Sequence, residues 1–236
     1  MTTLFIGDVH GCSRELAELL EKVGPGQGDR VVFVGDLVAR GPDTAGVLRL
    51  MREVGGVSVR GNHEERLLSS RRARRKGETG PRLGASHAAL MDTLTEQEWE
   101  VLEGLPLKLD LEEHGVRVVH AGVVPGLPWE AQDPRLVTHL RSIAEDGSPS
   151  EKHGVLWGTR YEGPLHVVFG HNARRDVQLH PFATGLDTAC VYGGKLTGLV
   201  LPAKSAVPPV DSRRDALVQV AAHDVYSDYG RPLPSD

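Results

Sequence analysis

Apolar residues in this chain fall into short runs that alternate with helical stripes. Thr3–Gly7 reads as a short buried strand ending in Gly-Asp. Leu16, Leu19, Leu20 and Val23 then recur at the helical period, with Ser13 placed to cap the helix they mark. Gly24–Gly28 breaks that helix. Val31–Val34 is a second buried strand and again ends in Gly-Asp. Pro42 and Asp43 open a second helix, with Val47, Leu50, Met51 and Val54 on one face, and Gly55-Gly56 stops it. Val57–Val59 is a third strand, followed at once by Gly61-Asn62. Consecutive strand–helix–strand units imply an α/β fold with a parallel sheet and right-handed crossovers.

Glu65–Lys76 continues as a helix with a strongly basic end. Thr95-Glu96-Gln97-Glu98 has the form of a capping box before a helix reaching Glu103. Leu107–Leu111 and Val116–His120 flank Glu112–Gly115, a hairpin signal. Asp133–Glu145 reads as a helix that Asp146–Ser150 breaks. Leu165–Phe169 is another strand, ending at Gly170-His171, and Thr184–Asp187 and Lys195–Leu201 complete the core strands. Beyond Ala203 the chain is rich in proline, serine and charge. We therefore expect one domain over residues 1–202 and a C-terminal tail over 203–236, ordered at most around Ala216–Ala222.

Composition narrows the class. Hydrophobic residues make up 39% and charged residues 25%, the profile of a globular protein. The net charge of −5 gives no global basic signal for nucleic acid, so attraction for an anionic substrate must be local. MTTLFIGDVHG has no basic leader, and no run approaches the roughly 18 apolar residues of a membrane span. Cys12 and Cys190 lie far apart without CxxC spacing, as expected of a reduced, cytoplasmic protein.

The polar motifs change the picture most. In open parallel sheets, ligands collect at the carboxyl ends of the strands. Asp8 and His10 stand two apart at the first strand end, Asp36 at the second, Asn62 and His63 at the third, and His120 and His171 at two later ones. Two aspartates, an asparagine and three of these four histidines, with no thiolate, make six ligands that suit Mn²⁺, Fe, Zn²⁺, Mg²⁺ or Co²⁺. Six ligands are too many for one metal with an open position. They suit two metals sharing a carboxylate, an arrangement that polarises phosphoryl groups and activates water.

These motifs resemble the calcineurin-like metallophosphoesterases of the phosphoprotein phosphatase superfamily. GDVHG (Gly7–Gly11), GDLVARG (Gly35–Gly41), GNHE (Gly61–Glu64), His120 in HAG and His171 in FGH carry the likeness, which spans Leu4 to Leu201. The resemblance implies a four-layer α/β/β/α sandwich, two packed mixed sheets flanked by helices, with the metals at its mouth. It implies that Asp8, His10 and a bridging Asp36 hold one metal, and Asn62, His120 and His171 the other, with manganese preferred. It makes His63 the general acid rather than a ligand, and Arg40 the arginine that grips phosphate.

Ala39 is the informative departure, because protein phosphatases of the superfamily carry a carboxylate there that orients the catalytic histidine. GDLVARG, together with LDTACVYGGKLTGLVL over Leu186–Leu201, is instead similar to the symmetrical diadenosine tetraphosphate hydrolases. The leading expectation is hydrolysis of dinucleoside polyphosphates, Ap4A giving two ADP. Phosphoprotein phosphatase activity is the alternative, and a metal-binding regulatory protein that has lost catalysis is the non-enzyme one. The Trp157-Gly158-Thr159-Arg160 element suggests Arg160 as a second phosphate arginine. Arg60 and Asp187 read as structural. The run Arg71–Lys76 reads as a solvated helix face or as a basic wall for a polyphosphate chain.

Overall fold

A computed structural model describes residues 1–230 and 232–234. The chain opens with β1 (Thr2–Ile6), α1 (Ser13–Val23), β2 (Arg30–Phe33), α2 (Thr44–Glu53) and β3 (Val57–Ser58). Both β1–β2 and β2–β3 are parallel pairs. Strand alternation sorts the side chains. Leu4, Ile6, Val31 and Phe33 face the helices and meet Leu16, Leu19 and Val47. Phe5, Val32 and Val34 face the opposite way, into a second core. Burial on both faces explains why these strands read as continuous apolar runs.

Helix α1 does not start from a Ser13 cap. Cys12 takes the cap position without a side-chain bond, and the Ser13 hydroxyl donates to Asp43 Oδ2 at 2.7 Å. Asp43 does cap α2, accepting from the Gly46 amide at 2.8 Å. Helix α3 (Asn62–Lys76) begins three residues before the apolar pattern marks it, because its first turn is polar and yet buries His63 and Glu64. Helix α4 (Ala85–Thr93) was not marked by the pattern at all. Its one buried residue is His87, and its apolar face, Leu90 and Met91 with Leu94 beyond them, is short and only partly buried against the first core. Helix α5 (Glu96–Glu103) has the expected Thr95–Glu98 capping box.

The second half contains the hairpin β4 (Lys108–Leu111) and β5 (Val116–Val119), then α6 (Pro134–His139), β6 (Ser142–Ile143), β7 (Pro149–Ser150) and β8 (Val155–Leu156). The expected helix over Asp133–Glu145 therefore ends at His139. Asp146 Oδ1 accepts the Ser148 amide at 2.9 Å and turns the chain back, so that β6 pairs with β7 and β8. Ile143 is buried there against Val137, Leu140 and Trp157. The strands β9 (His166–Phe169), β10 (Gln178–His180), β11 (Ala183–Gly185), β12 (Lys195–Pro202) and β13 (Leu217–Ala221) follow.

Two five-stranded mixed sheets result, ordered β13-β12-β1-β2-β3 and β10-β11-β9-β5-β4. They pack through Phe5, Val32 and Val34 on one side and Val116, Val118 and Val168 on the other. Helices α1, α2, α3 and α5 cover the first sheet. The second is covered by α6, the small β6–β8 sheet and the Trp157 turn, so the outer layer of this α/β/β/α sandwich is thin.

Beyond Ala203 the strand β13 lies inside the expected ordered stretch Ala216–Ala222, and residues outside that stretch are anchored as well. Strand β13 extends the first sheet, antiparallel to β12. Arg213 is 1% exposed and donates to the carbonyls of Pro208, His180 and Ala183. Glu15 of α1 accepts from the His223 amide and the Tyr226 hydroxyl. These anchors are polar, so a hydropathy pattern does not register them. Residues 231, 235 and 236 of the segment lie outside the described residues.

Candidate metal centre

The loops after β1, β2, β3, β5 and β9 meet in one pocket. Asp8, His10, Asp36, His63, His120 and His171 are all buried there, and Asn62 is half-buried. Asp36 is the hub. Its Oδ2 lies 3.5 Å from His10 Nε2 and 3.3 Å from His120 Nε2, while Oδ1 accepts the His63 amide at 3.0 Å. Asn62 Oδ1 lies 3.0 Å from His120 Nε2 and 2.9 Å from His171 Nδ1. Two donor groups thus share one carboxylate: Asp36 with His120 and His171, and Asp36 with His10 and His63. Asp8 enters the same pocket but falls outside both groups, since its oxygens accept the His171 amide at 3.1 and 2.9 Å.

Backbone geometry is bent to this purpose. His10, Asp36 and His171 have φ of 47°, 49° and 66°, in the left-handed region that costs a non-glycine residue ~1–2 kcal/mol. The His10 amide donates to the Asp36 carbonyl at 2.8 Å, tying two of these bends together. Two motif glycines are needed for close approach. A Cβ on Gly170 would sit 1.8 Å from Asp8 Oδ1, and one on Gly61 would sit 2.2 Å from Asp36 Oδ1.

On His10 and His120 the second ring nitrogen meets a carbonyl. His10 Nδ1 lies 3.1 Å from the Val38 oxygen and His120 Nδ1 lies 2.8 Å from the Val34 oxygen. Donation to Val38 leaves the His10 Nε2 lone pair toward Asp36, while Asp36 raises His120 against burial and draws a proton onto its Nε2, which a bound cation would replace. Glu64, which motif reading left unassigned, braces the second loop from below. Its Oε2 accepts the Asp36 and Gly61 amides at 3.0 and 2.8 Å, and its Oε1 accepts those of Leu37 and Val38 at 2.8 and 3.2 Å.

Electrostatics follow from burial. Burial lowers His10 to about 4 against the pull of Asp36, and holds His63 and His171 well below the usual imidazole range. Burial, then Asp187 and Asp36, pushes Asp8 well above the usual carboxylate value. Burial would raise Asp36 as well, but His120, His63 and His10 hold it well below. Burial and Asp36 push Glu64 up to about 7. The pocket therefore crowds carboxyl groups among mostly neutral imidazoles. Carboxylates, an amide oxygen and imidazole lone pairs short of positive charge are a donor set that divalent cations fit.

His63 sits beside this cluster. Arg40 Nε donates to His63 Nε2 at 3.2 Å. The His10 ring meets it edge-on at 4.6 Å, and the His87 ring of α4 stacks on it at 4.8 Å and 26°. Ala39, at φ 64°, offers it no side-chain partner. A second guanidinium reaches the pocket from Arg141. It donates to Asn172 Oδ1 at 3.0 Å; burial and then its charge lower His171, whereas burial raises Asp187 to about 6 against the opposing pull of Arg141. Arg160 instead lies exposed on the Trp157–Arg160 turn, and among the described residues no hydrogen bond or ion pair joins it to the pocket. Arg141 escaped sequence reading because it was placed inside a helix that ends at His139.

The basic run is occupied by ion pairs. Arg71 pairs with Glu96 and Glu103, Arg72 with Glu65, Arg74 with Asp92 and Arg75 with Glu103. It braces α3 against α4 and α5, which leaves little support for a polyphosphate wall. Arg60 likewise bonds Glu65 at 3.1 Å and the Glu103 carbonyl at 3.2 Å. Asp187 Oδ1 accepts the Ala189 amide at 3.0 Å.

Known proteins resemble this chain over most of its length. An asymmetrical bis(5'-nucleosyl)-tetraphosphatase of Oceanobacillus iheyensis is 29% identical, over 86% of this chain and 89% of its own. A symmetrical bis(5'-nucleosyl)-tetraphosphatase of Janthinobacterium is 30% identical, over 88% and 95%. Serine/threonine-protein phosphatase 1 of Salmonella typhimurium is 31% identical, over 81% and 88%. Among solved structures, a putative diadenosine tetraphosphatase superposes with a TM-score of 0.78 at 35% identity, covering 94% of this chain and 93% of the other. Residues 1–201 match the family model for calcineurin-like phosphoesterases, and the chain belongs to that metal-dependent hydrolase family.

Proposed function

We propose that this protein is a dinuclear-metal phosphoesterase that hydrolyses dinucleoside polyphosphates, with general phosphatase activity beside it. The observation that carries the dinuclear reading is the single Asp36 carboxylate shared by two donor groups. Asp8, His10 and Asp36 would hold one metal, and Asp36, Asn62, His120 and His171 the other, with Mn²⁺ preferred. Two such cations, when bound, polarise a phosphoryl group and activate water.

The chain's own residues do the rest. The Arg40 guanidinium binds phosphate oxygens in a two-pronged grip, and Arg141 offers a second from the far side of the pocket. His63 Nε2 accepts from Arg40 and so lies beside a gripped phosphate; with Arg40 engaged by that phosphate and the ring protonated, Nε2 gives its proton to the departing oxygen. The charge of a bound phosphate raises the His63 pKa and so favours the protonated form. The stacked His87 ring limits rotation of His63 where Ala39 supplies no carboxylate.

The tetraphosphatase relatives and the Ala39 position support a nucleotide substrate over a phosphoprotein. Two free thiols, Cys12 and Cys190, agree with a reducing compartment such as the cytoplasm. Among the described residues no helix is long and apolar enough to cross a membrane. The test is a Mn²⁺-supplemented comparison of Ap4A, ATP and a phosphopeptide with product analysis. ADP as sole product of Ap4A is the expected result. AMP plus ATP would change the reading to asymmetrical cleavage, and turnover of the phosphopeptide alone would reject a nucleotide substrate.

A further inference from the structure

Two tyrosines stand in line outward from the phosphate arginine. The Arg40 guanidinium carbon lies 5.4 Å from the ring centroid of Tyr192. The ring of Tyr229 meets Tyr192 edge to face, with centroids 4.8 Å apart at 70°. Both rings are partly exposed. They come from distant parts of the chain: Tyr192 follows the Asp187-Thr188 turn at the pocket, and Tyr229 belongs to the C-terminal segment.

The segment is fastened at this point. Tyr192 and Val225 form an antiparallel bridge, and the Tyr226 and Ser227 amides donate to the Val191 carbonyl at 3.1 and 3.0 Å. The Tyr226 hydroxyl is tied to Glu15 at 2.9 Å. Four consecutive residues, Tyr226–Tyr229, are thus held against the Val191-Tyr192 segment and end with an aromatic ring beside Tyr192.

We propose that Tyr192 and Tyr229 form a nucleobase platform, on which the base of a nucleoside polyphosphate stacks while its phosphates lie on Arg40. The proposal rests on the nucleotide reading above and gives it a structural cause. Arg40 occupies one face of Tyr192, so Tyr229 supplies the outer stacking surface. An aromatic ring accepts any base through its π-face and reads no hydrogen-bond pattern, so the platform serves adenine and guanine nucleotides alike. Charged phosphate and flat base are then bound by adjoining groups of opposite character.

Equilibrium titration with ADP and with pyrophosphate on the Mn²⁺-loaded full chain tests this directly. The wild type should bind ADP about tenfold more tightly than pyrophosphate, the scale of one base–aromatic stack. Tyr229→Leu should lose that preference and Tyr229→Phe should keep it. In turnover, Tyr229→Leu should raise KM for Ap4A about tenfold more than KM for O-phosphoserine. Equal ADP and pyrophosphate affinity in the wild type, an unchanged preference in Tyr229→Leu, or equal KM rises for both substrates would each overturn the platform. A wild type that prefers ADP but does not cleave Ap4A would uphold the platform and reject Ap4A hydrolysis, so the two claims fail separately.

Discussion

At the scale of single residues, the centre depends on Asp36. One carboxylate lies between His10 Nε2 and His120 Nε2 and also accepts the His63 amide. Asp36→Asn keeps the shape but removes the shared negative charge. We expect the Mn²⁺ content of the purified protein, read by elemental analysis, to fall from two ions per chain to one or none. Retention of two would show that Asp36 does not bridge. His63 should behave oppositely: His63→Ala should keep its metal and lose roughly 10²–10⁴-fold in kcat, the range for a positioned general acid. His87 separates support from chemistry. His87→Ala frees the His63 ring and should cost roughly 10- to 100-fold in kcat, as misplacement of a reacting group does. His87→Phe keeps the stack and should restore most of that rate, whereas a Phe variant as slow as Ala would assign His87 some role other than stacking.

At the scale of elements, the strand ends were legible because each motif follows an apolar run with a fixed buried face. The β1, β2 and β3 positions of Asp8, Asp36 and Asn62 follow from period and order alone. What was not legible is held by contacts without periodicity. Glu64 lies in the motif, yet nothing in its spacing says that its carboxylate gathers four backbone amides from two loops. His87 rides on a helix whose apolar face is short and only partly buried, and Arg141 follows a helix whose end is set by the pairing of β6 with β7 and β8. Glu64→Gln tests the brace. Either orientation of the amide puts an NH₂ group against two backbone N–H donors, which at ~1–3 kcal/mol per unsatisfied buried group should lower the melting temperature visibly. A Gln variant that melts with the wild type would mean that water takes over the brace.

At the scale of the whole molecule, the C-terminal segment joins both sheets. Strand β13 extends the first, while Arg213 is sunk against β10 and β11 of the second. Arg213 also donates to Thr184 Oγ1 at 3.0 Å, and Thr184 Oγ1 lies 2.8 Å from His166 Nε2. The Thr184 hydroxyl accepts from Arg213 and keeps its own proton to give, and a neutral His166 ring accepts it. Burial, with Arg213 and then His180 nearby, accordingly lowers His166 from its usual 6.5 to about 3. The sign of the consequence is fixed by linkage. Between pH 6.5 and 3 the unfolded chain binds a proton at this histidine that the folded chain refuses, so its contribution to stability is complete above 6.5 and is lost as pH falls toward 3. The limiting slope is about 1.4 kcal/mol per pH unit. Other buried histidines add to the wild-type slope, so the informative quantity is a difference. Denaturant melts at pH 7, 6 and 5 should show that His166→Gln, which cannot take up the proton, weakens less on acidification than the wild type, by up to one proton's worth. Parallel pH profiles would mean that His166 is protonated in the fold. The histidine would then be the donor, and the Thr184 hydroxyl would accept from both Arg213 and His166.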